Sequence, residues 1–409
     1  MPNVVDYLNW RGDVELTERP FNDVDNLILA TLSYLDFGGI VPPPGEGSIA
    51  LGKACQMVMD ETQGDVRQRV RSFAKLTDKF LIALAASRRF SSMTLHGYVD
   101  ELDEEKSLQF SAVQIDVDPT YTYVSYRGTD STLVGWREDF MLSFTVPEAQ
   151  LRADAYLEQA ISEVKEQGRR VYVGGHSKGG NLAVYAALTC DAALRPLISC
   201  VWSNDGPGLA PEIMPKSPRS QLGYRYRRIV PAYDMVGVIF ERHDDPRIVV
   251  KSNVMGAGQH DPFTWQVDAF GMVTERDLTH ESKVIKESID TWIKGIPLDQ
   301  RGVVVNQFFD ALEAGGAHKM SEVMENRQAM SAVLNAMGDM DDSTKGLLLS
   351  FAGVVVQKAA DAAASKAQDA AETALKAAFE AYQDWRERQG RGLEGGIAGK
   401  LKADDKPAQ

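Results

Sequence analysis

The chain has 409 residues, 44% of them hydrophobic and 25% charged, enough for one large α/β domain plus an accessory region. Its net charge of −14 argues against general binding to nucleic acid or anionic membrane, both of which favour a basic surface. Cys55, Cys190 and Cys200 fall at unrelated spacings, which argues against a zinc site or disulfide framework and reads as reduced core thiols of a cytoplasmic protein.

The N-terminus, Met1 to Leu8, lacks a basic start followed by an apolar stretch, so no signal peptide is expected. Residues 22–36 read as an amphipathic helix: Asn22 or Asp23 can cap it, and Val24, Leu27, Ile28, Leu32 and Leu35 share one face. Gly38-Gly39 stops it and Pro42-Pro43-Pro44-Gly45 forms a rigid connector. Helical patterning returns over 48–60 and 66–88, the latter carrying Val66, Val70, Phe73, Leu76, Phe80 and Leu84. From Met93 the period changes. Strands are expected over 94–100, 107–117 and 120–126, then a polar loop, a helix near 147–167, and a strand over 171–174. Three more strands are expected over 198–203, 224–230 and 247–251. Strands separated by helices or loops suggest a mostly parallel sheet covered on both faces. Beyond about 280 the pattern is helical. Residues 343–388 are rich in Ala, Lys, Glu and Gln without proline. Their Gly346–Val356 run is apolar but far shorter than the roughly 20 residues that cross a bilayer.

The chemistry is concentrated in Gly175-His176-Ser177-Lys178-Gly179. A Gly-x-Ser-x-Gly between a strand and a helix puts a hydroxyl on a sharp turn at the top of an α/β sheet. Gly175 and Gly179 are there because side chains two residues either side of the serine would collide in that bend. Ser177 is therefore the candidate nucleophile. The triad order on such a fold is Ser, then Asp or Glu, then His. The strand after Ser177 ends at Asp205, the next at Asp234, and the third leads to His260. Strand counting ranks Asp234 first as the acid and Asp205 second, whose alternative role is an Asx-type turn before Gly206-Pro207. His260 ranks above His96, His176, His243, His280 and His318 as the base, with His243 the alternative in a charged loop and His176 packing locally. For the oxyanion hole the expected N–H donors are Lys178, just after the nucleophile, and a loop after an earlier strand, for which Thr129 in Arg127-Gly128-Thr129-Asp130 is the candidate and an ordinary glycine-containing turn the alternative reading. Phe140, Met141, Leu142 and Phe144 follow as an apolar cluster, either core packing or the wall of an acyl pocket.

Arg127-Gly128-Thr129-Asp130 with Trp136-Arg137-Glu138-Asp139 resembles the Arg-Gly-Thr/Ser and Trp-x-x-Asp region of class 3 lipases. Asp234-Met235-Val236 is similar to their Asp-x-Val-Pro acid motif, with Gly237 in place of the proline. Five segments resemble a bacterial family of unknown function in the α/β-hydrolase superfamily: Asp6 to Asp13, Phe21 to Leu27, Gly175 to Asn181, Asn204 to Gly208, and Gln259 to Phe263. The resemblance covers roughly residues 1–290. It implies an α/β-hydrolase fold and supports Ser177, Asp234, His260 and Thr129 by matching position, without implying a substrate.

The expectation is an α/β-hydrolase with a mostly parallel central sheet flanked by helices and a C-terminal helical extension. Its parts are an N-terminal helical region over 1–92, a catalytic core over 93–295, helices over 296–389 and a tail over 390–409 whose composition suits disorder. The expected activity is cleavage of an acyl ester, of a small molecule or a lipid, through an acyl-enzyme, needing no metal or organic cofactor. A thioesterase or acyltransferase with the same triad and a non-catalytic scaffold are the alternatives. Phe351, Val355, Leu375, Phe379, Tyr382 and Trp385 would supply a seam for self-association or for covering the core.

Overall fold

The computed structural model describes residues 1–283 except 73, 104, 106–107 and most of 130–144, together with a few positions up to 306. The chain divides into two compact units, Met1–Phe351 and Ala352–Gln409, and the described residues belong to the first. The expected C-terminal helices, tail and self-association seam lie outside the described residues, as do Phe140, Leu142 and Phe144.

Eight strands form one sheet among the described residues, and they lie in chain order: β1 (Ile49–Ala50), β2 (Thr94–Asp103), β3 (Leu108–Asp116), β4 (Tyr121–Tyr126), β5 (Arg170–His176), β6 (Ile198–Asn204), β7 (Tyr226–Pro231) and β8 (Ile248–Val250). β1 to β4 pair antiparallel, and β4 to β8 run parallel. Every strand from β2 onward lies within a few residues of its expected position. β-Branched and aromatic runs broken by turn residues mark them clearly.

Parallel neighbours in chain order, joined by right-handed crossovers, put their connecting helices on one face. That face carries α5 (Glu148–Glu166) and α6 (Lys178–Thr189), whose Ala153, Leu157, Ile161, Leu182 and Ala186 pack on Val124, Val173 and Val201. A short helix, α7 (Pro218–Leu222), precedes β7. The opposite face is covered by the N-terminal helices α1 (Val4–Arg11), α2 (Asp23–Leu32), α3 (Leu51–Glu61) and α4 (Asp78–Ala86). Their Leu27, Ile28, Leu32, Phe80 and Leu84 share one core with Tyr123, Trp202, Ile229 and Trp265. Side chains alternate along a strand, so β5 turns Val171 and Val173 toward α5 and α6 and leaves Tyr172 to the N-terminal core. His176 follows the parity of Tyr172.

Two helical expectations need correction. α2 is buried on all sides, Asp25, Asn26 and Thr31 included, and Asn22 caps it by accepting from the Val24 and Asp25 amides. Its polar face meets protein instead of water: Asp25 pairs with Arg89, and Asn26 bonds to Asn204 and Tyr123 of the sheet. The expected continuous helix over 66–88 is interrupted. Val66–Arg69 forms a 3-10 turn, and Val70 pairs with Leu35 as an antiparallel bridge before α4 begins at Asp78. There the backbone of Arg69 and Arg71 bonds to Asp36 and Tyr34, and Arg69 also donates to the Asp36 carbonyl at 2.9 Å. Those tertiary partners outweigh the local helical period. They also fix the backbone at Tyr34, which reaches the site below.

All three cysteines are unpaired. Burial pushes the Cys55 thiol up to about 12, so it stays protonated in the core. No helix among the described residues is long and apolar enough to cross a membrane.

Candidate active site

β5 ends in the turn that the two glycines predict. Ser177 has φ 58° and ψ −132°, a region L-residues avoid at a cost of about 1–3 kcal/mol. A Cβ on Gly179 would lie 2.2 Å from the Tyr126 carbonyl oxygen, and one on Gly175 only 2.3 Å from the Gly179 backbone. Neither position tolerates a side chain without backbone movement. The turn is tied to β6, since the Ser177 amide donates to the Asn204 carbonyl at 2.9 Å. Asn204 is wholly buried; its amide donates to the Gly175 carbonyl at 3.0 Å and its oxygen accepts from Asn26 of α2 at 2.9 Å.

His260 ends a 3-10 turn, Gly256–His260, beyond β8. Its Nε2 lies 3.0 Å from Ser177 Oγ and its Nδ1 lies 2.6 Å from Asp205 Oδ2. A carboxylate accepts only, so Nδ1 carries the hydrogen and Nε2 is left with a lone pair facing the serine hydroxyl. The imidazole is partly open to solvent, whereas the Asp205 side chain is 1% exposed.

The carboxylate against the imidazole is therefore that of Asp205, the second choice of strand counting, and this corrects the ranking that put Asp234 first. β6 is the immediate neighbour of β5, while β7 stands one strand farther, roughly 4.8 Å. Asp205 also leaves β6 at φ 49°, in the left-handed region, which turns its carboxylate back toward the elbow. Ser177 and Asp205 are two of the four described non-glycine residues with positive φ. Asp234 sits behind Asp205, fully buried; its amide donates to Ser282 Oγ at 2.8 Å and its Oδ1 accepts from the Val238 amide at 3.2 Å. Burial and the neighbouring Asp205 charge hold its carboxyl well above the usual range, against a smaller opposing pull from Arg228.

Of the other histidines, His96 meets Asp116, and His243 and His280 are exposed. His318 lies outside the described residues. His176 does more than pack locally. Its Nε2 lies 2.9 Å from the His260 carbonyl oxygen and its Nδ1 lies 2.8 Å from Tyr34 Oη. Because a carbonyl only accepts, Nε2 holds the hydrogen and neutral Nδ1 accepts from the tyrosine. The residue before the nucleophile thus holds the backbone of the candidate base. Trp265 donates to the Gln259 carbonyl at 2.8 Å, and the Gln259 side chain bonds Tyr233 and Val254, which pins the same turn from its other side.

The amide of Lys178 begins α6, where first-turn N–H groups have no helical acceptor and the helix dipole is positive. Its side chain runs the opposite way into the core. Nζ contacts the Gln109 carbonyl, Gln109 Oε1 and Glu138 Oε2 at 2.9, 2.7 and 2.9 Å, and pair members Lys178 and Glu138 are each 1% exposed. Thr129 follows Gly128, whose Cβ, if present, would lie 2.6 Å from the His176 carbonyl oxygen and 2.3 Å from Tyr34 Oη. The missing side chain lets the strand-end loop approach the elbow. Arg127 anchors that loop through two bonds to Asp100, at 2.9 and 2.6 Å. Asn181 links α6 to the loop after Asp205, donating to the Pro207 and Gly208 carbonyls.

Periodicity does not reveal the supporting residues Tyr34, Asn26, Asn181 and the Lys178–Glu138 pair. The one available signal is polarity out of place, as with Asn26 beside the apolar Leu27 to Ala30 run of α2.

No curated protein is significantly similar to the chain. A solved structure titled "Crystal structure of M37 lipase" is similar at 15% identity over 53% of this chain and 70% of its own, with a TM-score of 0.32. The profile of the Mbeg1-like family matches residues 84–310, more than half of the sequence. The chain belongs to the Mbeg1-like family.

Proposed function

We propose that this protein is a serine hydrolase that cleaves a carboxylic ester through an acyl-enzyme, with Ser177 as nucleophile, His260 as general base and acid, and Asp205 as the triad carboxylate. The observation carrying this reading is the position of one imidazole between a strained serine hydroxyl at 3.0 Å and a buried carboxylate at 2.6 Å.

Asp205 holds the tautomer that leaves Nε2 free to take the Ser177 proton, and its charge stabilises the imidazolium that results. Oγ attacks the acyl carbonyl, and the developing oxyanion is met by the Lys178 amide at the positive end of α6 and by the Thr129 amide. His260 then returns its proton to the leaving alcohol. The acyl-enzyme is hydrolysed by water activated through the same imidazole. None of these steps calls on a metal or organic cofactor. A substrate with an acyl chain of a lipid falls within this reading.

Labelling with a fluorophosphonate probe tests it. The native protein is expected to react covalently and Ser177→Ala to remain unlabelled with an unchanged thermal unfolding curve. Well-folded native protein that resists the probe would sink the nucleophile assignment.

A further inference from the structure

Two buried carboxyls stand at the ends of adjacent strands, Asp205 after β6 and Asp234 after β7, both with no solvent exposure. They converge on one glycine: a Cβ on Gly237 would lie 2.7 Å from Asp234 Oδ2 and 2.9 Å from Asp205 Oδ1. The oxygens of Asp205 are committed, Oδ2 to His260 Nδ1 and Oδ1 to the Gly237 amide at 3.2 Å. Asp234 Oδ1 accepts from the Val238 amide, but Oδ2 receives no hydrogen bond from any donor among the described residues. The nearest cation, Arg228 on β7, stands off at 3.8 Å. Its terminal nitrogens are directed at Glu241 Oε1, at 2.6 Å, and the Gly237 carbonyl, at 2.5 Å. Glu241 in turn pairs with Arg247, which meets Asp277, and the Glu241 carbonyl takes a bond from Lys286. The cation nearest to Asp234 is thus already engaged by another carboxylate. The group that faces Asp234 Oδ2 there is Asp205 Oδ1, the two oxygens converging on one point beside Gly237. Two buried carboxyls that converge in this way can bond each other only if one keeps its proton, since ionised oxygens are acceptors only.

We propose that Asp234 holds that proton and donates it to Asp205, acting as the positioning residue that orients the triad carboxylate and limits its pull on His260. The inference rests on the catalytic reading above for its consequence, but the protonation itself stands on the geometry. A donor bond to Asp205 draws charge from it and steadies its aim at Nδ1. The imidazole of His260 therefore loses its proton at a lower pH than it would beside an unassisted carboxylate. Asp234 also accounts for its orphaned oxygen, which becomes a donor instead of a buried acceptor without a partner.

The experiment compares native protein, Asp234→Asn and Asp234→Ala. The His260 pKa is followed by NMR of the imidazole and by the pH dependence of fluorophosphonate labelling. Infrared spectra of protein with labelled aspartate carboxyls, taken at pH 8, look for a protonated-acid band. That pH lies above the titration of Asp261, which burial raises to about 6. A protonated-acid band in native protein that vanishes in Asp234→Asn is expected. The asparagine keeps a donor toward Asp205, so the His260 pKa should stay put; the alanine removes it, so that pKa should rise by about one unit. Labelling should slow about ten- to a hundredfold in Asp234→Ala, and Asp234→Asn should recover most of that loss. The proposal is overturned if the band is absent, or if Asp234→Asn lowers the His260 pKa, which would mean an ionised Asp234 in the native protein. Absence of labelling would strike the catalytic reading alone, because the band and the imidazole titration need no reaction.

Discussion

Replacing Asp205 by asparagine separates the two acids at nearly constant volume. In the native arrangement Asp205 Oδ2 accepts from His260 Nδ1 at 2.6 Å and thereby leaves Nε2 as a lone pair facing Ser177. Asparagine can present its NH2 group to Nδ1, and the imidazole then moves its hydrogen to Nε2, where it faces the serine as a donor and takes no proton. It also removes the negative charge that stabilises the imidazolium. In triads of this geometry the exchange costs on the order of 10⁴ in turnover, about 5.5 kcal/mol of transition-state stabilisation. The assay is the second-order rate of fluorophosphonate labelling beside hydrolysis of a chromogenic short-chain ester. Unfolding curves serve as the control for folding. Asp205→Asn should lose roughly four decades in both while remaining folded. Labelling within tenfold of the native rate would refute the assignment of Asp205.

Two further perturbations probe the scaffold. Gly179→Ala places a methyl 2.2 Å from the Tyr126 carbonyl oxygen, a backbone atom that cannot rotate away, so the elbow should be lost along with about 3 kcal/mol or more of stability, read by chemical denaturation and by absence of labelling. Lys178→Met leaves Glu138 buried without its cation and should cost about 3–5 kcal/mol, a drop in Tm on the order of 10 °C. Adding Glu138→Gln should restore part of it, since the neutral side chain needs no cation and its one oxygen can still accept from the Ala149 amide. Equal stability of the single and double variants would show that the charge pair is not the cause.

Strands were legible because β4 to β7 are buried and built from residues such as Val171, Val173, Ile198 and Ile229, whose pattern is independent of distant partners. The nucleophile turn was legible for a similar reason, since its glycines are a local steric requirement. The acid was not. Choosing between Asp205 and Asp234 depends on a left-handed φ of 49° at Asp205 and on which strand borders β5, neither of which counting strands conveys. Tyr34 and His176 were illegible as a pair because their contact spans 142 positions and depends on the interruption of the helix expected over 66–88. That segment shows a helical period, but the backbone of residues 34–36 competes for its hydrogen bonds and wins.

The sealing of one sheet face by the N-terminal helices also sets an order of assembly. Asn26 completes its bonding with Asn204, 178 positions later, and Trp202, 179 positions from Asp23, lies in the same core. During synthesis the apolar residues Leu27, Ile28, Leu29 and Leu32 emerge long before β6 and β7 exist to cover them. Contacts of such span are slow to form, because the loop must close before any of them is made. The nascent chain therefore carries a sticky helix until β6 and β7 have been made, and chaperone occupancy of residues 23–35 is the natural consequence of this topology.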